Sequence, residues 1–277
     1  MENNLMTVEK DYVLGTHDEE IERLGLQHRV WRPRALDAWR RAGITVGQTI
    51  VDVGCGPGYA AFDLADIVGE GGRIIAVDRS RRFLDALEAK ARNRGNANIT
   101  TVELDLDEGD LMVSNADAVW CRWVFSFVKK PYELLNRIRK VIRTNGIIVL
   151  HEYLDYSTWR LAPRCTEVED FVGIVMRSWR DNGGEPDIGL SLPSWLQESG
   201  FIIKELHPIV DIVSPSNFVW QWPKTYLEVN IDRMRELGYI DAVKAQRVRK
   251  AFRSCETDPK TLMITPVVLE IIAGKRG

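Results

Sequence analysis

The sequence is poor in the features that mark secreted, membrane-spanning and zinc-binding proteins. Its four cysteines lie far apart and form no Cys-x-x-Cys pair, so neither a disulfide framework nor a zinc site is expected. It contains no run of about 18 apolar residues, which a membrane-spanning helix would need. The first residues lack the basic and apolar segments of a secretory signal. These absences predict a cytoplasmic protein without a bound metal or a membrane partner.

An excess of charge of one sign is also absent, since 37 lysine and arginine residues nearly balance 40 aspartate and glutamate residues. The formal net charge of −3 provides no long-range attraction for a phosphate backbone and disfavours nucleic acid as a partner. The composition, 45% hydrophobic and 28% charged over 277 residues, fits one large globular domain or two modest ones. Nine tryptophans are available to pack a core or to line an apolar pocket. One basic run on a predicted helix is most simply a solvated face; it comprises Lys244, Arg247, Arg249, Lys250 and Arg253.

The chain is organised around a glycine-rich turn. Apolar β-formers flank an acid at residues 50–53, glycines follow at every second position from 54 to 58, and residues 59–68 have helical periodicity. This pattern predicts a strand, a tight turn and a helix. Glycine permits unusual dihedrals and lets a ligand touch bare backbone, and a helix start favours an anionic group. A dinucleotide fingerprint, G-x-G-x-x-G, would need glycine where Tyr59 stands, which disfavours an NAD-dependent dehydrogenase.

The spacing present is G-x-G-x-G, with an acid two residues before the first glycine. It resembles motif I of the class I S-adenosylmethionine (SAM)-dependent methyltransferases. The resemblance implies that S-adenosyl-L-methionine is the cofactor, that the loop lies against its methionine end and ribose, and that the acid helps to hold its amino group. The expected cofactor-binding residues of this segment are Asp52, Gly54, Cys55, Gly56 and Gly58.

A second acid follows the next predicted strand. Residues 73–77 form a buried-type strand that ends before Asp78, and the distance from Asp52 leaves room for the helix of a βαβ unit. An acid at such a strand end can accept hydrogen bonds from ribose hydroxyls. The resemblance therefore implies that Asp78, followed by Arg79, belongs to the cofactor site.

A third strand, residues 99–104, ends before Asp105 and Leu106. In the family, an acid at this place accepts from the adenine amino group and the adjacent apolar residue packs on the ring, so both residues are expected to bind the cofactor. The acid-rich run from Asp105 to Asp110 also invites a metal interpretation. It lacks the twelfth-position glutamate of a calcium loop, so a solvated loop is preferred.

The fourth strand covers residues 118–123, and Cys121-Arg122-Trp123-Val124 stand at its carboxyl end. Amino-methylating nucleic-acid enzymes of this class carry an Asn/Asp-Pro-Pro-Tyr motif after this strand, so the sequence found here disfavours that activity. Cys121 and Arg122 are expected at the cofactor site. For Arg122 two partners stay open, the carboxylate of SAM and an acid of the protein interior.

Strands alternate with helices as far as residue 153, which predicts a parallel sheet with helices on both faces. The resemblance completes this to an α/β, Rossmann-like, doubly wound sheet of seven strands whose last strand is antiparallel, with helical additions. Before the core, Thr16 to Glu19 form a capping box for one helix, and Pro33 is expected to end that helix and begin a second. The predicted parts of a single domain are a helical arm (1–43), a SAM-binding core (44–155), helical lid insertions (156–200 and 214–258) and the final strands (201–213 and 264–274).

Methyl transfer from a sulfonium needs the nucleophile in line with the breaking bond, and a phenol or acid substrate also profits from a base with a pKa near neutral. His151 lies near the end of the strand predicted at residues 147–153 and is the candidate base, with a purely structural role as the alternative. His28 falls on an apolar helical face, where packing is its simplest role. The candidate substrate pocket comprises Tyr12, Gln27, His28, Tyr153, Tyr156 and Trp159.

The residues thus predict a methyltransferase that resembles the ubiquinone/menaquinone-biosynthesis-like small-molecule branch. Its acceptor is expected to be an O, N or C atom of a small, apolar or aromatic metabolite, and the protein is expected to be a monomer or a homodimer. Two alternatives stay open. An RNA methyltransferase would need a basic rim around the site, and a non-catalytic SAM-binding regulator would keep the glycine loop without turnover.

Overall fold

The computed structural model describes residues 18–277 and contains a central sheet and a smaller one. Their strands are β1 (Thr49–Val53), β2 (Arg73–Asp78), β3 (Ile99–Glu103), β4 (Ala116–Arg122), β5 (Ile142–Asp155), β6 (Arg160–Ala162), β7 (Phe201–Ile209), β8 (Ile212–Val213), β9 (Leu262–Ile264) and β10 (Val267–Lys275). The helices are α1 (Asp18–Arg41), α2 (Tyr59–Val68), α3 (Arg81–Arg94), α4 (Pro131–Val141), α5 (Thr166–Asp181), α6 (Leu192–Glu198), α7 (Gln221–Glu236) and α8 (Ala242–Thr257).

The central sheet has seven strands in the order β3-β2-β1-β4-β5-β10-β7. Strands β1 to β5 pair in parallel, whereas β10 is antiparallel to both of its neighbours, β5 and β7. The expected doubly wound α/β fold with an antiparallel last strand is therefore confirmed. The strand order reverses between β1 and β4, and ligands of such sheets bind beyond the carboxyl ends of the strands at this switch point.

The central strands are apolar because both faces of a doubly wound sheet are covered by helices. Ile50, Val51 and Val53 of β1 are completely buried, although they point to opposite sides of the sheet. One core cluster lies under α4 and α6, and another lies under α2 and α3. The polar residues that interrupt these buried strands, such as Asp52, therefore need a functional or hydrogen-bonding explanation.

Helix α1 is one continuous helix and corrects the expectation of two. Pro33 lies inside it, in its second half. The pyrrolidine ring is exposed, so the carbonyl that loses its intrahelical partner is on the solvent side, while Trp31 and Ala35 on the opposite side are fully buried in the core. Packing of this apolar face outweighs the local preference of proline to end the helix. The predicted capping box at Thr16 and His17 lies outside the described residues.

A second layer covers the carboxyl ends of the central strands. It comprises α5, α7, α8 and the three-stranded sheet β6-β9-β8, and its aromatic core is continuous with Trp31, Trp123 and Tyr153 of the main fold. Helix α6 does not belong to this lid as the proposed domain boundaries imply, because Leu192 and Leu196 pack into the core of the central sheet. Strand β8 likewise pairs in the small sheet rather than with the final strands.

Candidate functional site

A cleft of about 630 Å³ opens at the carboxyl ends of β1, β2, β4 and β5, at the point where the strand order reverses. The glycine loop and the strand ends form one half of its wall. Residues of α1 and of α7 in the lid, together with the segment after β4, form the other half. A cleft of this size, with both apolar and polar groups in its wall, is typical of a small-molecule site.

The three glycines of the loop have left-handed φ angles but different surroundings. A Cβ at Gly54 would lie 2.2 Å from Val124 Cγ2, and a Cβ at Gly58 would lie 2.4 Å from Leu87 Cδ1, so these two positions are closed by the packing of the protein itself. A Cβ at Gly56 would meet no atom closer than Leu24 Cδ1 at 3.9 Å. Gly56 is therefore the position at which bare backbone faces the cleft.

Asp78 connects the glycine loop to the end of β2. Its Oδ2 accepts from the amide of Gly56 at 2.8 Å and its Oδ1 accepts from the amide of Ser80 at 2.9 Å. Burial raises the pKa of Asp78, while these backbone N–H groups act to lower it. The carboxyl group therefore fixes the loop conformation and lines the cleft at the same time.

Asp52 and Arg122 place opposite charges on one wall. Burial raises the pKa of Asp52 to about 7, against the attraction of Arg122, and Oδ2 of Asp52 has no hydrogen-bond partner among residues 18–277. Burial also lowers the pKa of Arg122 to about 10, so that the guanidinium keeps its charge at neutral pH. Its Nη1 is likewise without a partner among the described residues. The wall therefore offers an unused acceptor and an unused charged donor to a ligand.

His28 holds Arg122 from the side of α1. Nη2 of Arg122 lies 3.3 Å from Nδ1 of His28, and Nε2 of His28 lies 3.0 Å from Oδ2 of Asp63, which also accepts from Arg32. Since a guanidinium can only donate, Nδ1 of His28 accepts and Nε2 donates to Asp63. Burial lowers the pKa of His28, in keeping with this neutral tautomer. His28 thus positions Arg122 rather than occupying the cleft as a free base.

Aromatic rings form the wall between the core and the lid. Trp123 stacks on Tyr153 of β5 at 5.4 Å and on Trp222 of α7 at 5.5 Å between ring centroids. Tyr226, one turn after Trp222, also lines the cleft. The backbone of Trp123 is left-handed (φ 53°), a conformation that a residue with a bulky side chain rarely adopts. Strain of this kind tends to persist where the surrounding structure fixes a functional side chain.

The buried carboxylate of Glu152 holds the segment after β4 in place. It accepts from the amides of Val124 at 2.7 Å and Phe125 at 2.9 Å, and from the hydroxyl of Ser126 at 3.0 Å. Burial raises the pKa of Glu152 to about 7, against these hydrogen bonds. The residue is structural, since its oxygens are satisfied by the loop that carries Trp123 and Val124.

The structure brings most of the expected site residues together. The ones that line the cleft are Gln27, His28, Asp52, Gly54, Cys55, Gly56, Asp78, Arg79, Asp105, Leu106, Arg122 and Tyr153. Five others do not line it: Gly58, Cys121, His151, Tyr156 and Trp159. Cys121 is fully buried within the sheet, and Tyr156 and Trp159 are in the core of the lid. Tyr12 lies outside the described residues.

His151 is completely buried behind the cleft. Its Nε2 lies 2.9 Å from Oε2 of Glu270 on β10, and its ring packs against Trp31 and Trp120. Burial lowers the pKa of His151, although Glu270 acts to raise it. The side chain of His151 therefore lies under these tryptophans and not in the cleft, so a proton taken from a substrate has no direct path to it.

Sequence patterns missed several residues of the cleft. Glu20, Arg23 and Leu24 of α1 line it, as do Trp123 and Phe127 after β4 and Tyr226 of the lid. Trp123 follows directly after a core strand, which is a usable signal. No local pattern indicates that residues some 100 or 200 positions apart, on α1 and α7, close over the same strands.

Comparisons with known proteins agree with this geometry. Residues 51–150 match the family described as methyltransferase domain. An uncharacterized protein of a Streptomyces fradiae transposon is 26% identical over 210 residues, 73% of this chain and 56% of that protein. Demethylmenaquinone methyltransferase of Lactococcus lactis is 27% identical over 126 residues, 46% of this chain and 49% of that protein. The chain spans about half the length of these curated relatives.

Solved structures share the fold over most of the chain. Coclaurine N-methyltransferase bound to N-methylheliamine and S-adenosylhomocysteine (SAH) superposes with a TM-score of 0.57 at 17% identity, covering 88% of this chain and 72% of that one. The [4+2]-cyclase SpnF superposes with a TM-score of 0.58 at 15% identity, covering 88% and 81%. At this identity the superpositions show the fold, and the cyclase illustrates that the fold by itself does not fix the reaction.

The domain match, the strand order and the glycine loop together identify a class I SAM-dependent methyltransferase domain in this chain. The resemblance to the quinone-methylating branch is confirmed by the curated relatives. The match to the methyltransferase domain supports S-adenosylmethionine as the cofactor. The residues fit this cofactor. Its ammonium and carboxylate match the unused Oδ2 of Asp52 and Nη1 of Arg122, and the open face of Gly56 leaves room for its backbone contacts.

Within residues 18–277, no group of three or more His, Cys, Asp or Glu side chains could hold a metal ion. In the same part of the chain, no helix is both long and apolar enough to cross a bilayer.

Proposed function

We propose that this protein transfers the methyl group of SAM to an O, N or C atom of a small, largely apolar or aromatic metabolite. The observation that carries the proposal is the pair of unused, oppositely charged atoms, Oδ2 of Asp52 and Nη1 of Arg122, beside the open face of Gly56 and in the same cleft as an aromatic wall. One half of the cleft suits the charged cofactor, and the other suits an apolar acceptor.

Bound SAM supplies an electrophilic methyl group on a positively charged sulfur. Asp52 and Arg122 would hold its amino-acid end, Asp78 its ribose, and Asp105 with Leu106 its adenine. The aromatic wall formed by Trp123, Tyr153 and Tyr226 would hold the acceptor against the cofactor half and exclude water. Positioning of this kind supplies a large part of the barrier reduction in two-substrate reactions.

Nucleic acid is a poor fit to the same cleft. Its wall contains six carboxylates (Glu20, Asp52, Asp78, Asp105, Asp107 and Glu108) against five lysine and arginine side chains, so it has no positive excess to attract phosphates. The names of the relatives support a small molecule instead, since the Lactococcus lactis protein is named for demethylmenaquinone and a Nostoc relative for 2-phytyl-1,4-naphtoquinone.

The test is formation of SAH from SAM by purified protein in the presence of single acceptors from a panel of phenols, quinols and amines, read by mass spectrometry. Turnover with at least one acceptor, absent in Gly56→Arg, is the expected result. SAH binding without turnover over the whole panel would favour the non-catalytic regulator, and turnover with tRNA or rRNA alone would favour the RNA methyltransferase.

A further inference from the structure

Helix α1 presents two different faces to the cleft. Leu24 and His28 face the glycine loop and α2, where Leu24 approaches Gly56 and His28 stacks on Tyr59. Glu20, Arg23 and Gln27, at helical spacing of three and four, form a separate stripe. Arg23 lies 5.9 Å from the ring centroid of Tyr226, so this stripe faces the lid and the acceptor half of the cleft.

The stripe is a buried hydrogen-bonded cluster. Nε and Nη2 of Arg23 donate to the two carboxylate oxygens of Glu20 at 2.7 and 2.6 Å, and Nη1 donates to Oε1 of Gln27 at 2.9 Å. Glu20, Arg23 and Gln27 are only 5%, 7% and 8% exposed. Glu20 offsets the penalty of burial so strongly that the pKa of Arg23 is raised. The two-point contact joins a guanidinium to a carboxylate, so the pair as a whole carries no net charge.

A buried ion pair in an otherwise aromatic wall is weak evidence for stability, because apolar residues of similar size often serve as well. Its distinguishing property is unused hydrogen-bonding capacity. Within residues 18–277, three of the five guanidinium N–H groups of Arg23 are engaged, which leaves two, and each oxygen of Glu20 keeps a further lone pair. Charges of both signs are present, so a bound ion of either sign meets one attractive and one repulsive partner.

We propose that the Glu20–Arg23 pair is a charge-neutral anchor that selects acceptors bearing an uncharged hydroxyl group and excludes carboxylates and ammonium ions. A hydroxyl accepts from Arg23 and donates to Glu20, while an ion loses its water without a net counter-charge. The proposal rests on the proposed function, since it assigns this half of the cleft to the methyl acceptor. It makes Glu20 and Arg23 specificity-determining residues.

The test compares three probes that share a naphthalene ring and differ in the group at its 2-position: 2-naphthol, 2-naphthoate and 2-naphthylmethylammonium. Each is titrated at pH 7.5 into the protein saturated with SAH, and binding is followed by tryptophan fluorescence. Wild type is expected to bind 2-naphthol about tenfold tighter than either ion, because the ions are desolvated without compensation. Glu20→Gln leaves Arg23 as a single positive charge and should shift the ratio of naphthoate to naphthol affinity about tenfold towards naphthoate.

Two variants complete the design. Asp85→Asn makes the matching change in the exposed Arg81–Asp85 pair of α3 and should leave all three affinities unchanged. Glu20→Gln/Arg23→Gln removes both charges and should reduce the preference for naphthol without favouring either ion. If Glu20→Gln does not fold, the proposal is tested with this double variant instead.

The anchor proposal would be wrong if wild type preferred either ion to 2-naphthol. It would also be wrong if the order of the three probe affinities were the same in Glu20→Gln and in Glu20→Gln/Arg23→Gln as in wild type. Calorimetry with SAH on the same samples distinguishes a failure of the anchor proposal from a failure of the proposed function. Lost cofactor binding in wild type counts against the function, whereas intact cofactor binding with an unaltered probe ranking counts against the anchor alone.

Discussion

Asp52 shows how a single residue can serve a ligand at the expense of the ligand-free fold. Its carboxyl group is buried in the cleft wall, its Oδ2 lacks a partner among the described residues, and burial raises its pKa to about 7. A carboxyl group whose folded pKa lies above its unfolded value binds more protons in the folded state, so its contribution to stability falls as the pH rises from about 4 to about 7. A cationic ligand group reverses this penalty, because it stabilises the charged form.

Asp52→Asn should therefore have opposite effects on stability and binding. At pH 8 the ligand-free variant should unfold with a free energy higher than that of wild type by on the order of 1–3 kcal/mol, and this difference should shrink towards pH 5. SAH should bind roughly 10- to 100-fold more weakly, because a charge-assisted hydrogen bond is lost. Urea unfolding and calorimetry at both pH values measure the two effects. A variant that binds SAH like wild type would remove Asp52 from the cofactor site.

Gly56 and Gly71 provide a matched pair of substitutions. Gly56→Arg places a long side chain in the cleft and should abolish SAH binding in calorimetry, with a loss of stability of roughly 1–2 kcal/mol from the left-handed backbone. Gly71→Arg, in an exposed turn with open space around it, should leave both stability and binding unchanged. Wild-type affinity in folded Gly56→Arg would show that the loop does not contact the cofactor.

At the scale of secondary structure, α1 is the element that joins the two halves of the molecule. Its C-terminal end is fixed to the sheet by Arg41, which pairs with Glu270 of β10 and Glu205 of β7. Glu270 in turn accepts from His151 of β5. Burial acts to raise the pKa of Glu270, but His151 and Arg41 outweigh it and the net shift is downward. This contribution to stability is present above the unfolded pKa of a glutamate and is lost as the pH falls through the lower folded value.

Glu270→Gln should destabilise the fold by about 1–3 kcal/mol at pH 7, because the buried carboxylate that joins His151 and Arg41 is replaced by a neutral amide. The effect should shrink at low pH, where wild type also loses the charge. SAH affinity should not change, since the network lies behind the cleft. Glu205→Gln, at the more exposed partner of Arg41, should cost less than about 1 kcal/mol. Equal losses for the two variants would contradict the assignment of Glu270 as the central partner.

The elements differ in how far the sequence predicts them. Strands β1, β2 and β4 are mainly apolar, and each has a polar residue at or next to its carboxyl end (Asp52, Asp78 and Arg122), so their positions and these residues could be predicted. The predicted break of α1 at Pro33 is wrong, because the packing of Trp31 and Ala35 in the core stabilises one continuous helix. That packing cannot be seen in any local sequence pattern. His151 was expected at the cleft from its strand position, but the tryptophans that cover it come from α1 and β4.

At the scale of the whole molecule, the lid and the Rossmann-like core share one aromatic layer. Trp123 at the end of β4 lies in a stack between Tyr153 and Trp222, and Trp31 of α1 contacts both tryptophans edge-on. The cofactor half of the cleft could be predicted because its residues follow consecutive strands. The acceptor half could not, since α1, the segment after β4 and α7 meet only in the folded chain, and their contacts are set by packing over long sequence distances.

The central claim is that this cleft binds SAM through the glycine loop, and isothermal calorimetry of the purified protein with SAH and with NAD tests it most directly. We expect SAH to bind with a dissociation constant of about 1–100 μM, or roughly −8 to −5.5 kcal/mol, and NAD not to bind. Absence of SAH binding, or binding of NAD in its place, would contradict the assignment of the cleft.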